Sequence, residues 1–201
     1  MFNLKKPNLD ILFKDLEHPN PNINYQASID MYRFWPKQAK TRLIKNLDTK
    51  DIQLRRKSVK ALCCFGTEVV EDIVEKYCSS YDQLSRIACL KVLVLIASKH
   101  NLIKFKIQIN KVIDMALKDE SIEITLAVIS LLRQIGKDSV PSLKSLCRDK
   151  NLLKAKAAIT ALIEIPDSST NDFLKYIAID SSIDNLIKES ALEALNNKLV
   201  L

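Results

Sequence analysis

Glycine is almost missing from this chain: there are two in 201 residues. That shortage excludes a Gly-rich phosphate-cradling loop and a G-x-S-x-G nucleophile elbow. Histidine is as scarce, with His18 and His100 alone. Neither belongs to an H-E-x-x-H pattern, which excludes the zinc-protease helix. His18 lies in the turn HPNPN, where capping is its expected task. The five cysteines (Cys63, Cys64, Cys78, Cys89, Cys147) are odd in number and form no C-x-x-C pair. A disulfide framework and a zinc site are therefore not expected, and reduced, mostly buried thiols are. The vicinal pair Cys63–Cys64 leaves room for one exposed thiol. No long apolar run exists; the longest, Val92–Ala97, is far too short to span a bilayer. The start, MFNLKKPNLD, holds no apolar stretch of signal-peptide length, so a cytoplasmic location without a membrane partner is expected. Acidic pairs such as Glu71–Asp72 and Asp119–Glu120 fall on turns or exposed faces and read as solvated charges. No catalytic residue and no metal ligand set emerges.

What is present is a repeat. IQLRRKSVKALCCFG, from Ile52 to Gly66, reads as one amphipathic helix. Leu54, Ser58, Ala61, Leu62 and Phe65 form an apolar stripe at helical period, and Gly66 stands where a positive-φ cap residue is expected. The small residue Ser58 returns as Ala27, Ala88, Val128, Ala158 and Ala191, at spacings of 31, 30, 40, 30 and 33 residues. Leu62 returns as Met31, Val92, Leu132, Leu162 and Leu195. The two glycines, Gly66 and Gly136, share one phase of two copies. A first helix precedes each such helix, about 8–17, 37–47, 67–78, 108–118, 138–148 and 170–179. Short turns rich in Asp, Asn and Ser join the two and cap the second. The predicted fold is an all-α solenoid of about six HEAT-like helical hairpins, a single domain over 1–201. Approximate repeats are 8–35, 36–66, 67–98, 108–136, 138–166 and 167–201. The 40-residue spacing hides an insertion near Lys99–Asn110, whose alternating Ile103, Phe105, Ile107 and Ile109 predict an extended connection.

Charge is unevenly spread. Between Lys37 and Lys60 there are nine Lys/Arg and two Asp, a net +7 that equals the formal charge of the whole chain. Such a cluster attracts an anionic partner. Arg55, Arg56, Lys57 and Lys60 lie off the apolar stripe, and Arg56 and Lys60 are spaced by one helical turn on the second helix. In solenoids the second helices line the concave, partner-binding surface.

LRRKSVKALCCFG, from Leu54, is similar to the L/Y-R-R-A-A-V-K-A-L-G-x-x-G segment of the E/F-type phycobilin lyases, a HEAT-repeat family. ILFKDLEHPNPNINYQAS, from Ile11, resembles that family's first repeat with its H-P-N-P turn, and KESALEAL, from Lys188, its last. The closest likeness is to the family's short, phycoerythrin-associated Z-type subunits. Two departures stand out: Cys63, Cys64 and Phe65 replace Gly and small aliphatics, and the 99–110 region is diverged and Lys-rich.

The resemblance implies assistance in attaching an open-chain tetrapyrrole, expected to be phycoerythrobilin, to a cysteine of a phycobiliprotein subunit through a thioether. The nucleophile would belong to the substrate, which fits the empty catalytic inventory. The bilin would be transferred, not held as a permanent cofactor. Bilin propionates suit Arg, which binds carboxylates bidentately. Tyr25 and Arg86 stand at offsets of 31 and 30 from Arg56, so Tyr25, Arg55, Arg56, Lys60 and Arg86 are the expected bilin- or partner-binding residues. An equally open reading makes them inter-repeat packing residues. The resemblance also implies a chaperone-like role beside a second lyase subunit of the same family, and the apolar tail Leu199–Leu201 is a candidate contact for it. Two other classes stay open: a protein-interaction scaffold without pigment chemistry, and a basic nucleic-acid-binding solenoid. The confined basic region and few aromatics count against the latter.

Overall fold

A computed structural model describes residues 6–198 of the chain, with side chains to Asn197. The tail Leu199–Leu201, expected above as a partner contact, lies outside the described residues. The described residues form an all-α fold of the solenoid class, twelve α-helices linked by short turns and 3-10 segments, with no strand among them. Contacts divide the chain between Val112 and Ile113 into two compact units.

In the first unit α1 (Leu9–Glu17) packs on α2 (Pro21–Phe34), α3 (Pro36–Lys45) on α4 (Ile52–Leu62), and α5 (Val70–Ser79) on α6 (Gln83–Ala97). The second helices touch in succession, α2 on α4 and α4 on α6. In the second unit α8 (Ile122–Ile135), α10 (Leu152–Ile163) and α12 (Asn185–Lys198) make the same row. There α9 (Val140–Leu146) packs on α10, and α11 (Ser168–Ile179) on α12. The unit boundary falls inside α7 (Lys106–Leu117).

Polar turn residues set the helix starts. Asn8, Asn20, Asp51, Asp82, Ser121, Asn151 and Asp167 each accept an N–H of the helix that follows. Pro21 and Pro36 open α2 and α3, where a missing N–H costs nothing. The small position of the repeat is buried in all six copies: Ala27, Ser58, Ala88, Val128, Ala158 and Ala191. Met31, Leu62, Val92, Leu132 and Leu162 are buried with them, while Leu195 is half-buried. The Ser58 hydroxyl is tolerated there because the Asn46 side-chain amide donates to it at 3.2 Å.

Two expectations need correction. The helix predicted to reach Gly66 ends at Leu62, and a 3-10 segment, Cys63–Val69, carries the chain through Gly66. The region 99–110 is not extended. Ile103–Phe105 is a 3-10 turn that runs into α7. The alternation misled because α7 buries Ile109, Val112, Ile113 and Ala116, a helical spacing that overrides the local period of two.

Gly66 (φ 57°, ψ −136°) and Gly136 (φ 81°, ψ −134°) share one backbone conformation, which side-chain-bearing residues avoid. Gly136 has open space around it, whereas a Cβ on Gly66 would lie 3.3 Å from His100 Nε2. Gly136→Ala should cost about 1–2 kcal/mol from strain alone. Gly66→Ala should cost more, and His100→Ala should recover the excess. Thermal or urea unfolding of the three variants would test this ordering.

Candidate functional site

The site expected from sequence centres on α4. Asp51 Oδ1 accepts from Gln53 and Leu54 N–H at 2.8 and 3.0 Å, which fixes the helix start. Ser58, Val59, Ala61 and Leu62 then turn inward. Arg56 and Lys60 share the opposite, exposed side, one turn apart, without a protein partner among the described residues. Tyr25 holds the same position on the adjoining α2, two residues before the buried small residue, and is 62% exposed.

The structure does not bring Arg55 and Arg86 out beside them. Arg55 is half-buried and donates to the Thr49 carbonyl below its own helix. Arg86 is half-buried over the Tyr77 ring, 4.7 Å from the centroid, and donates to the Tyr77 hydroxyl at 2.8 Å. Arg55 and Arg86 each stand four residues after their capping aspartates, Asp51 and Asp82. The cap register thus pairs Arg86 with Arg55, whereas the small-residue register had paired it with Arg56.

Several members of the basic cluster already serve the fold. Lys40 Nζ reaches Asp72 at 2.7 Å, and Arg42 reaches Asp10 at 2.6 Å while lying 3.9 Å over the Phe13 ring. Lys57 Nζ donates to the carbonyls of Glu17 and His18 at the end of α1, where a cation complements the helix dipole. Similar inter-repeat pairs recur as Lys76–Asp48, Arg133–Glu164 and Arg148–Asp180. Sequence reasoning missed these bonds; the only trace was opposite charge about one repeat apart. With Lys40, Arg42, Arg55 and Lys57 engaged, five of the nine cations remain exposed without a protein partner among the described residues: Lys37, Lys45, Lys50, Arg56 and Lys60. Arg42 and Lys45 also border a shallow, open depression with Asn46, Asp48 and Thr49.

The thiols and imidazoles assemble no catalytic group among the described residues. Burial pushes the Cys64 thiol up, Cys63 adds to the effect, and Lys99 opposes it. Burial pushes Cys89 and Cys147 up to about 12. The Cys63 thiol is buried and directed at the Leu95 carbonyl. His18 Nδ1 accepts the Asn20 N–H at 3.0 Å and so closes the turn, while the Asn20 side chain, not His18, caps α2. No trio of His, Cys, Asp or Glu is placed to hold a metal among the described residues. No described helix is long and apolar enough to cross a membrane.

The fold defines a helical-repeat protein with a basic face. Its backbone resembles an engineered protein of known crystal structure, with a TM-score of 0.54 and 16% identity, covering 96% of this chain and 97% of that one. No protein-family model matches the chain. Two natural proteins do. The chain is 25% identical over 189 residues to the uncharacterized phycocyanin operon protein Z of Pseudanabaena tenuis (strain PCC 7409), covering 94% of each. It is 25% identical over 169 residues to the bilin biosynthesis protein CpeZ of Synechococcus sp. (strain WH8020), covering 81% of this chain and 91% of that protein. The resemblance read in the sequence is borne out: along most of its length the chain is similar to Z-type, phycobilin lyase-like proteins.

The raised thiol pKa gives a test of this chemistry. Iodoacetamide should alkylate Cys64 slowly at neutral pH, and faster as pH rises past the ordinary thiol range, because only then does its thiolate form. Cys89 and Cys147 should react only after unfolding. Mass spectrometry of the labelled chain reads both, and rapid neutral labelling of Cys64 would contradict this assignment.

Proposed function

We propose that this chain is a phycobilin lyase subunit, or a chaperone-like auxiliary of one, acting in attachment of a bilin to a phycobiliprotein cysteine. The observation that carries the reading is the exposed pair Arg56 and Lys60, in a chain similar over 81% of its length to a bilin biosynthesis protein. Both cations are free of the fold's own ion pairs, so they are available to bilin propionates or to an acidic protein face. Tyr25 supplies an exposed aromatic surface on the neighbouring helix.

The chemistry needs no nucleophile from this chain. The substrate thiol adds across a carbon–carbon double bond at the edge of the pigment. Sulfur bonds to one carbon, the thiol proton ends on the other, and no oxidant or leaving group is required. The chain's contribution is to hold pigment and apo-subunit in register, and positioning alone can contribute several kcal/mol, on the order of 7–11 in the best cases. Phycoerythrobilin is the bilin proposed, and a second lyase subunit of the same family is the proposed working partner.

The test is coexpression with a candidate apo-subunit and a bilin source, with this chain alone, the partner alone, and both. Covalent pigment should be complete only with both. Full, correctly linked attachment by this chain alone would refute the auxiliary reading, and apo-subunit binding with no effect on pigment would leave a plain scaffold. Arg56→Ala with Lys60→Ala should weaken bilin or apo-subunit binding roughly two- to thirtyfold, at about 0.2–1 kcal/mol per exposed contact. Helicity should be unchanged, and unaltered affinity and salt dependence would show that this face is merely solvated.

A further inference from the structure

A second basic feature lies apart from α4. From Gln83 to Ile113 the sequence holds Arg86, Lys91, Lys99, Lys104, Lys106 and Lys111 and not one Asp or Glu. Arg86 is folded onto Tyr77, while the five lysines are exposed. Four of them flank the 3-10 turn Ile103–Phe105 and the start of α7. Asn101 anchors that turn by accepting the Ile103 N–H at 2.8 Å. Leu102 and Ile109 point into the core, but Ile103 and Ile107 are 68% and 84% exposed.

At about 100° per residue, Ile107 lies opposite the buried face of α7, with Lys111 one turn further on the same side. Two isoleucines held this far into water contribute nothing to the core. Lys104 stands just before a helix start with no acid in its first turn, where the helix dipole disfavours a cation. Both features are unfavourable for the chain alone and favourable against a surface that is anionic outside and apolar beneath.

We propose that residues 99–111 dock peripherally on an anionic lipid membrane. Ile103 and Ile107 enter the boundary between headgroups and acyl chains, and Lys99, Lys104, Lys106 and Lys111 meet the lipid phosphates. Composition favours lipid over a protein partner. Protein interfaces enrich arginine and exposed aromatics and deplete lysine. Here the cations are all lysine, and the one aromatic, Phe105, is half-buried. Lysine stems lie along apolar surface while their ammonium groups reach outward, as membrane-surface segments require. This contact is separate from the pigment reading and stands or falls without it.

Sedimentation of the full chain with vesicles tests the proposal, using phosphatidylcholine alone and phosphatidylcholine with one-third phosphatidylglycerol. Binding is expected to the anionic vesicles and not to the neutral ones. Lys104→Gln with Lys106→Gln should lower that affinity roughly 25-fold, at about fivefold per lysine. Ile103→Asn with Ile107→Asn should lower it several-fold with helicity intact, since neither side chain supports the core. Arg56→Ala with Lys60→Ala should retain most of the binding. The proposal is overturned if the wild type ignores anionic vesicles, if the isoleucine pair has no effect, or if the α4 pair matters as much. It is equally overturned if the isoleucine variant keeps vesicle binding but loses an acidic protein partner, which would make this a protein interface.

Discussion

The close seam between neighbouring second helices is the constraint on which the rest depends. Packed helices stand about 8–10 Å apart, and the residue at the closest point sets that distance. The recurring small position, Ala27, Ser58 and Ala88 in one unit and Val128, Ala158 and Ala191 in the other, is buried throughout. A larger side chain would push the helices apart and open the layer beneath, where Met31, Leu62 and Val92 have no exposure at all. Ser58 carries the one hydroxyl at this seam, and an unpaired one would cost about 1–3 kcal/mol. Asn46, in the turn before α4, supplies the missing bond. Tyr25 and Arg56, two places before Ala27 and Ser58, face away from the seam and are exposed.

This dependence explains what could be read in advance. The repeat was legible because seam and core recur at helical spacing, which no other arrangement of those residues reproduces. Capping was legible because Asp51, Asp82, Ser121 and Asn151 stand immediately before apolar-periodic stretches. Arg56 and Lys60 were legible because they lie off the stripe. Arg86 was not, because two alignments of its helix differ by one residue, about 100° of rotation. That turn separates an open surface from the Tyr77 ring. The bonds of Lys40, Arg42 and Lys57 were hidden for another reason: their partners lie 32 to 40 residues away. A net charge cannot distinguish a bridged lysine from a free one.

The inter-repeat ion pairs are individually weak. Most of their side chains are partly exposed, and such pairs contribute roughly 0–1 kcal/mol each. Their larger effect is to sort the cations. Lys40 and Arg42 are drawn to Asp72 and Asp10, and Lys57 to the end of α1, so their charge is neutralised locally. Within the 37–60 cluster, Lys37, Lys45, Lys50, Arg56 and Lys60 make no such pair among the described residues. The stretch from Gln83 to Ile113, α6 and the first part of α7, takes this further by omitting acids for 31 residues. Two exposed basic surfaces result, with different chemistry. The α4 face offers guanidinium and ammonium groups beside an exposed tyrosine, while the α7 start offers only lysines beside isoleucines.

Under the proposed function, the thiols carry a constraint of their own. A pigment that adds to a substrate cysteine can also add to any cysteine of the protein that handles it, at a rate set by the thiolate present. The chain has five cysteines and no disulfide among them. Cys63, Cys89 and Cys147 are buried, and Cys64 and Cys78 are half-buried. Desolvation disfavours the thiolate because charge is poorly solvated in an apolar interior, and it acts on Cys64, Cys89 and Cys147 alike. Cys64 is the most telling case. It stands in the 3-10 segment directly after the basic helix, with Lys99 near enough to favour ionisation, yet burial outweighs that attraction. The same packing that closes the repeat therefore disfavours the thiolate of Cys64, the thiol that follows the basic helix.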